Sequence, residues 1–201
     1  MNYISTRNNQ INFSSEEVLN YGLAPDGGLF IPREIPKFSL GDIKNLKNAD
    51  YQEIAYFVLK PFLKDLFSAE EIKQLISDAY QSFDEEIVSI TEIGENQLLN
   101  LFHGPTLAFK DYAMCLLAKI YDLYLRKKNQ KLVIVGATSG DTGSAAIHAF
   151  KGIKNIDIFI LHPHNATSVF QRKQMTTSGA DNVFNIALEG SFDDCQTLVK
   201  K

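Results

Sequence analysis

An α/β fold built on a parallel sheet and preceded by a mainly helical N-terminal region is what this sequence predicts. Three observations carry that prediction. Apolar runs at 132–136, 156–161 and 183–188 have the length of buried strands. Helical spacing fills the stretches between them, and strand–helix–strand alternation calls for right-handed crossovers and parallel neighbours. Ahead of them, 51–67 and the segment after Ser68 carry apolar residues at helical rather than strand spacing.

The elements follow in order. Residues 1–10 form a short polar segment, and Ser14-Ser15-Glu16-Glu17 is a helix start. The stretch 22–32, GLAPDGGLFIP, has the Pro and paired Gly of a loop. In the helix at 51–67, Ile54, Ala55, Val58, Leu59 and Phe62 share a face. In the next one, Ser68 and Glu71 have the spacing of a capping box, and Ile72, Leu75, Ile76 and Tyr80 form the apolar face. The pattern then changes to a short strand at 98–102, a helix at 109–125, the strand at 132–136, a helix at 142–150, the strand at 156–161, a helix at 168–177, the strand at 183–188 and a helix opening at Ser191. The two regions are set at 1–95 and 96–201. The last helical pattern meets no Gly, Pro or capping signal before position 201, so the sequence is expected to be the front piece of a longer protein.

Composition narrows the function. Hydrophobic residues make up 45% and charged residues 22%, ordinary values for a globular chain. The formal net charge of −4 argues against a nucleic-acid partner held through phosphates. The basic run Arg126, Lys127, Lys128 and Lys131 reads as a solvated helix C-terminus. No apolar run reaches membrane-spanning length, residues 1–10 have no signal-peptide core, and neither a membrane nor a signal peptide is expected. Cys115 and Cys195 form no metal or disulfide pattern, which fits a reduced, cytoplasmic setting. No metal is expected either: His162 and His164 lack a third ligand at suitable spacing. Asp84-Glu85-Glu86 reads as a solvated charge run, and Arg172 and Lys173 are minor candidates for meeting a phosphate.

Two motifs carry chemistry. In LFHGPTLAFKD (101–111), Lys110 stands at a helix start after a Gly-Pro loop. The positive end of the helix dipole, together with partial burial, favours the neutral amine that Schiff-base formation needs. In GATSGDTGSA (136–145), glycines join a buried strand to a helix start, where N–H groups bind anions. It matches neither the P-loop nor the dinucleotide fingerprint. Each motif alone has a plain alternative: a solvated lysine for the first, and a tight strand-to-helix turn capped by Ser139 or Asp141 for the second.

Taken together, HGPTLAFKD at 103–111 and ATSGDTG at 137–143 resemble threonine synthase of the bacterial and fungal type. The 22–32 loop is similar to that family's N-terminal segment. The resemblance implies a fold-type II pyridoxal-phosphate (PLP) enzyme, tryptophan synthase β-like, with 1–95 as a threonine-synthase-like region and 96–201 as an incomplete PLP-dependent region. It implies PLP on Lys110 as a Schiff base, with Lys110 also shuttling protons. It places Ser139, Gly140, Asp141, Thr142 and Gly143 beside the cofactor, and Thr138, Ser139 and Thr142 toward the substrate. His103 is a further candidate for touching the cofactor or the substrate phosphate, with a packed or loop histidine as the equal alternative. Asp141 stands where many relatives of this fold type have Asn facing the PLP 3′-oxygen, and a carboxylate there needs a proton on one partner or the other. The implied reaction turns O-phospho-L-homoserine and water into L-threonine and phosphate. Another fold-type II enzyme, such as a serine or threonine dehydratase, and a non-catalytic remnant are the alternatives. The family's phosphate-cradling loop lies downstream, so an inactive fragment with an open sheet edge, prone to self-association, is expected.

Overall fold

The computed structural model describes residues 1–84 and 86–200. The chain divides into two compact units, Met1–Ser77 and Asp78–Lys201.

The first unit holds more strand than the sequence suggests. β1 (Asn2–Ser5) pairs antiparallel with β2 (Phe13–Ser14) on one side and β3 (Phe30–Pro32) on the other. The polar segment at 1–10 thus contains a strand, and the loop at 22–32 ends in one. Both strands are too short to show a period of two. Phe13, buried, meets Phe30 edge-on at 4.9 Å and closes this small sheet. α1 (Ser15–Tyr21) starts at Ser14, whose hydroxyl and Glu17 form a reciprocal capping box. The same device opens α2 (Leu40–Asn45), a helix without apolar spacing that only its Ser39–Asp42 box marks in the sequence. α3 (Tyr51–Leu63) stops four residues before the expected end. Of the expected face, Ala55, Leu59 and Phe62 are half-buried and Ile54 and Val58 exposed, while Leu63, one turn beyond Leu59, is buried. α4 (Ala69–Tyr80) follows the Ser68–Glu71 box and buries Ile72, Leu75, Ile76 and Tyr80 as expected.

The second unit begins with a hairpin of β4 (Ser89–Ile93) and β5 (Asn96–Asn100), turning at Gly94, where φ is 60°. The strand expected at 98–102 is β5, displaced by two residues because its register is set by pairing with β4. α5 (Asp111–Lys128) ends on Asn129 in the left-handed conformation, with Arg126, Lys127 and Lys128 in its last turn.

The parallel sheet is present in the order β6-β7-β8: β6 (Leu132–Ala137), β7 (Ile156–Pro163) and β8 (Val183–Leu188). α6 (Asp141–Phe150) links the first two, α7 (Val169–Thr176) the second pair, and α8 (Phe192–Val199) packs on β6 and β7. β7, in the centre, buries Ile156, Ile158 and Ile160 on one face, with Ile134 of β6 in register with Ile158. The other face is half open and exposes Val133, Val135, Phe184 and Ile186.

Asn182, just before β8, ties the turn between α6 and β7 to the sheet. Its Nδ2 donates to the carbonyls of Phe150 and Ile156 at 3.0 and 2.7 Å, and its Oδ1 accepts from Gly152 N at 2.8 Å. Asn182→Ala is expected to lower unfolding stability by about 2 kcal/mol, since several buried or half-buried groups lose partners together. Asn182→Asp is expected to lower it similarly, because it removes the donor. Urea denaturation of the three proteins measures both.

Candidate functional site

The two chemical motifs lie at the starts of adjacent helices in the second unit. α5 and α6 pack together, and α6 packs on α7. Lys110 is the residue before α5, with helical φ and ψ and no side-chain cap of its own. Its side chain is half-buried, and its Nζ lies 4.8 Å from the centroid of the Phe109 ring.

The loop leading to Lys110 is held at three places. Asp111, with none of its surface exposed, turns its carboxylate back: Oδ2 accepts from Thr106 N at 2.8 Å, and Oδ1 accepts from the Thr106 hydroxyl at 2.7 Å. A Cβ on Gly104 would approach this carboxylate to 2.6 Å, so the close turn requires glycine. The Thr106 carbonyl accepts from Gln174 Nε2 of α7 at 3.2 Å. At its start, His103 Nε2 meets the Ser89 hydroxyl at 2.8 Å and Nδ1 lies 3.5 Å from Asp84, while Asn100 Nδ2 donates to Ser89. A Ser89 O–H donated to Nε2 leaves the proton on Nδ1, facing Asp84. Leu107, at φ 63°, is one of three non-glycine residues with positive φ among those described.

The second motif is braced from within. Neither Ser139 nor Asp141 caps α6; the cap position is Gly140, and the acceptor is Thr138. The Thr138 hydroxyl oxygen, 2% exposed, accepts from Gly140 N at 3.0 Å and Gly143 N at 2.9 Å. Thr138, expected toward a substrate, thus has its oxygen engaged in shaping the loop. Ser139 and Asp141 are exposed and Thr142 is half-buried. As the first two residues of α6, Asp141 and Thr142 have N–H groups with no intrahelical acceptor. Gly140, at φ 153°, lies against the Gln171 side chain, and a Cβ on Gly143 would come within 2.8 Å of Met175 Sδ. Gln171 Nε2 also donates to Asp141 Oδ1.

This end of α6 therefore offers the exposed Ser139 hydroxyl, the half-buried Thr142 hydroxyl and two helix-end N–H groups, beside a carboxylate already met by an amide donor. It suits a bound anionic or zwitterionic group. Burial pushes the Cys115 thiol up to about 11, with the nearby Asp111 carboxylate adding to it, so Cys115 is no nucleophile at neutral pH.

Other candidates are dispersed. His164 Nδ1 pairs with Glu189 at 2.7 Å, whereas His162 is buried, and no group of three metal-ligating side chains occurs among the described residues. Arg172 reaches Asn165, and Lys173 is exposed. Of the acidic run, Asp84 faces His103, and Glu85 lies outside the described residues. Among the described residues no helix is long and apolar enough to cross a membrane. Asp111, Gln171 and Gln174 are the functional neighbours that sequence reasoning missed. Only Asp111 carried a signal, as the last residue of the lysine motif.

Residues 2–80 match the family described as threonine synthase N terminus. Over its whole length the chain is 46% identical to threonine synthase of Pseudomonas aeruginosa and 43% identical to that of Schizosaccharomyces pombe, covering 43% and 41% of those proteins. Its fold superposes on PLP-bound threonine synthase from Brucella melitensis with a TM-score of 0.91 at 45% identity, and on the yeast enzyme with 0.90 at 35%. All of this chain is covered in both, but only 44% and 43% of those chains. The chain thus spans less than half the length of the relatives it matches.

Removing the brace isolates its contribution. Thr138→Val is expected to lower stability by about 1–2 kcal/mol, the range for losing a helix cap that serves two N–H groups. Thr138→Ser, which keeps the acceptor, should retain most of it. Chemical denaturation of both variants checks this.

Proposed function

We propose that this chain, which corresponds in sequence and fold to the N-terminal portion of threonine synthases, carries the cofactor lysine and the substrate-facing loop of such an enzyme. The reaction is the conversion of O-phospho-L-homoserine and water to L-threonine and phosphate. What supports this most is that the loop leading to Lys110, at Thr106, and the 139–143 loop, at Asp141, both bond to α7, through Gln174 and Gln171, although some thirty residues separate them in sequence. A polar loop with hydroxyls at Ser139 and Thr142 and helix-end N–H groups at that place is compatible with pyridoxal 5′-phosphate.

When bound, pyridoxal 5′-phosphate supplies an electron sink for negative charge developing at the substrate's Cα. Lys110 is the attachment point for its aldehyde and, once released, the base that holds and moves the Cα proton. The N–H groups of Asp141 and Thr142, with the hydroxyls of Ser139 and Thr142, bind the substrate carboxylate and orient Cα toward Lys110. Gly140 and Gly143 let the loop pack closely on Gln171 and Met175 of α7, which would hold it in place beside a bound cofactor. Asp141, with one oxygen held by Gln171, would have the other for the bound ring. His103, with Nε2 on Ser89 and Nδ1 facing Asp84, has both ring nitrogens engaged within the fold and serves to anchor the start of the lysine loop. A cytoplasmic setting fits two buried, unpaired cysteines. The half-open sheet face with Val133, Val135, Phe184 and Ile186 supports association with a further polypeptide surface, another copy included.

Borohydride trapping with pyridoxal 5′-phosphate is expected to tag Lys110 and to leave Lys110→Ala untagged. A tag spread over Lys119, Lys127 and other surface lysines overturns the assignment. In a full-length version, Lys110→Ala should reduce phosphate release from O-phospho-L-homoserine about a thousandfold or more, the order expected when a covalent attachment point and proton carrier is lost.

A further inference from the structure

α7 touches both motifs with residues one helical turn apart. Gln171 and Gln174 stand at i and i+3, so their side chains leave the same face within about 5–6 Å of each other. Met175, fully buried on that face, lies under Gly143. The Gln171 amide is itself oriented: the Ser168 hydroxyl, at the start of α7, donates to Gln171 Oε1 at 3.0 Å and thereby directs Nε2 to Asp141 Oδ1. At the other end of the helix, Asn185 of β8 donates to the Met175 carbonyl at 2.8 Å and fixes α7 to the sheet. One rigid turn therefore holds the Thr106 carbonyl, four residues before Lys110, and the Asp141 carboxylate, at the start of α6.

We propose that Gln171 and Gln174 are paired positioning residues that couple the lysine loop to the 138–143 loop, so that ordering either loop orders the other through α7. This rests on the reading of Lys110 and the 139–143 loop as two sides of one cofactor site, and it adds how the two sides are kept in register.

Amide hydrogen exchange reads the coupling without cofactor or turnover. The reporters are Thr106 N and Leu107 N in one loop, bonded to Asp111 and the Gly104 carbonyl, and Gly140 N and Gly143 N in the other, both bonded to Thr138. Gln174→Met is expected to speed exchange about fivefold at Thr106 and Leu107, as the loss of one hydrogen bond implies. It should also speed exchange at least about twofold at Gly140 and Gly143, which it does not touch. Gln171→Met should do the converse, and Gln174→Lys, which restores a donor, should recover most of the protection. Exposed Lys173→Ala is the control and should leave both loops unchanged. Effects confined to the loop each glutamine touches overturn the coupling, as does an equal response to Lys173→Ala, which would report mere loosening of the helix. The same variants, incubated with pyridoxal 5′-phosphate and borohydride, separate the two ideas. Coupled exchange with no preference for Lys110 in the parent chain would reject the cofactor reading and spare the coupling. Uncoupled exchange with clean Lys110 trapping would do the reverse.

Discussion

A single buried carboxylate sets the shape of the loop that leads into α5. Asp111 is wholly withdrawn from solvent, and both of its oxygens are used on Thr106, one on the N–H and one on the hydroxyl. A carboxylate out of water is costly unless its lone pairs are met, and here the loop must curl back to meet them. That curl requires glycine at 104, brings the Thr106 carbonyl out toward Gln174, and leaves Lys110 as the residue entering the helix. The lysine is half-exposed because its neighbour in sequence is not. The other loop depends on a similar economy: Thr138 spends its one hydroxyl oxygen on two N–H groups, leaving those of Asp141 and Thr142 for something outside the fold.

Legibility in the sequence follows the range of the forces involved. The three parallel strands could be read because a strand with neighbours on both sides buries a run of apolar residues, as β7 does at Ile156, Ile158, Ile160 and Leu161. The boxes at Ser68 and at Ser191 could be read because a cap is a contact over three residues. β1 and β3 could not, since strands of four and three residues exist only through their pairing. The apolar face of α3 was legible in part: Ala55, Leu59 and Phe62 are half-buried, whereas Ile54 and Val58 satisfy the same period and are exposed. Within the site, Lys110 and the glycines were visible as motifs. The tasks of Thr138, Gln171 and Gln174 were not, because each depends on a partner brought by the fold from another element.

The surface that remains apolar has a consistent meaning. β4 and β5 expose Ile90, Ile93, Leu98 and Leu99, and an isolated two-stranded hairpin has little stability of its own. The sheet leaves β6 and β8 as edges, with Val133, Val135, Phe184 and Ile186 uncovered on one face. The relatives are more than twice as long as the matched portion, and faces of this kind are where additional polypeptide packs.

The central claim is that two loops distant in sequence form one ligand site. Its most direct measurement is a residue-resolved NMR titration of the chain with pyridoxal 5′-phosphate. The account predicts that the amide resonances of Asp141 and Thr142 move together with those of Thr106 and Asp111, with one common binding curve, and that Lys110→Ala abolishes the shifts in both loops. Shifts confined to residues around Lys110, with the 139–143 loop unmoved at saturation, would contradict it.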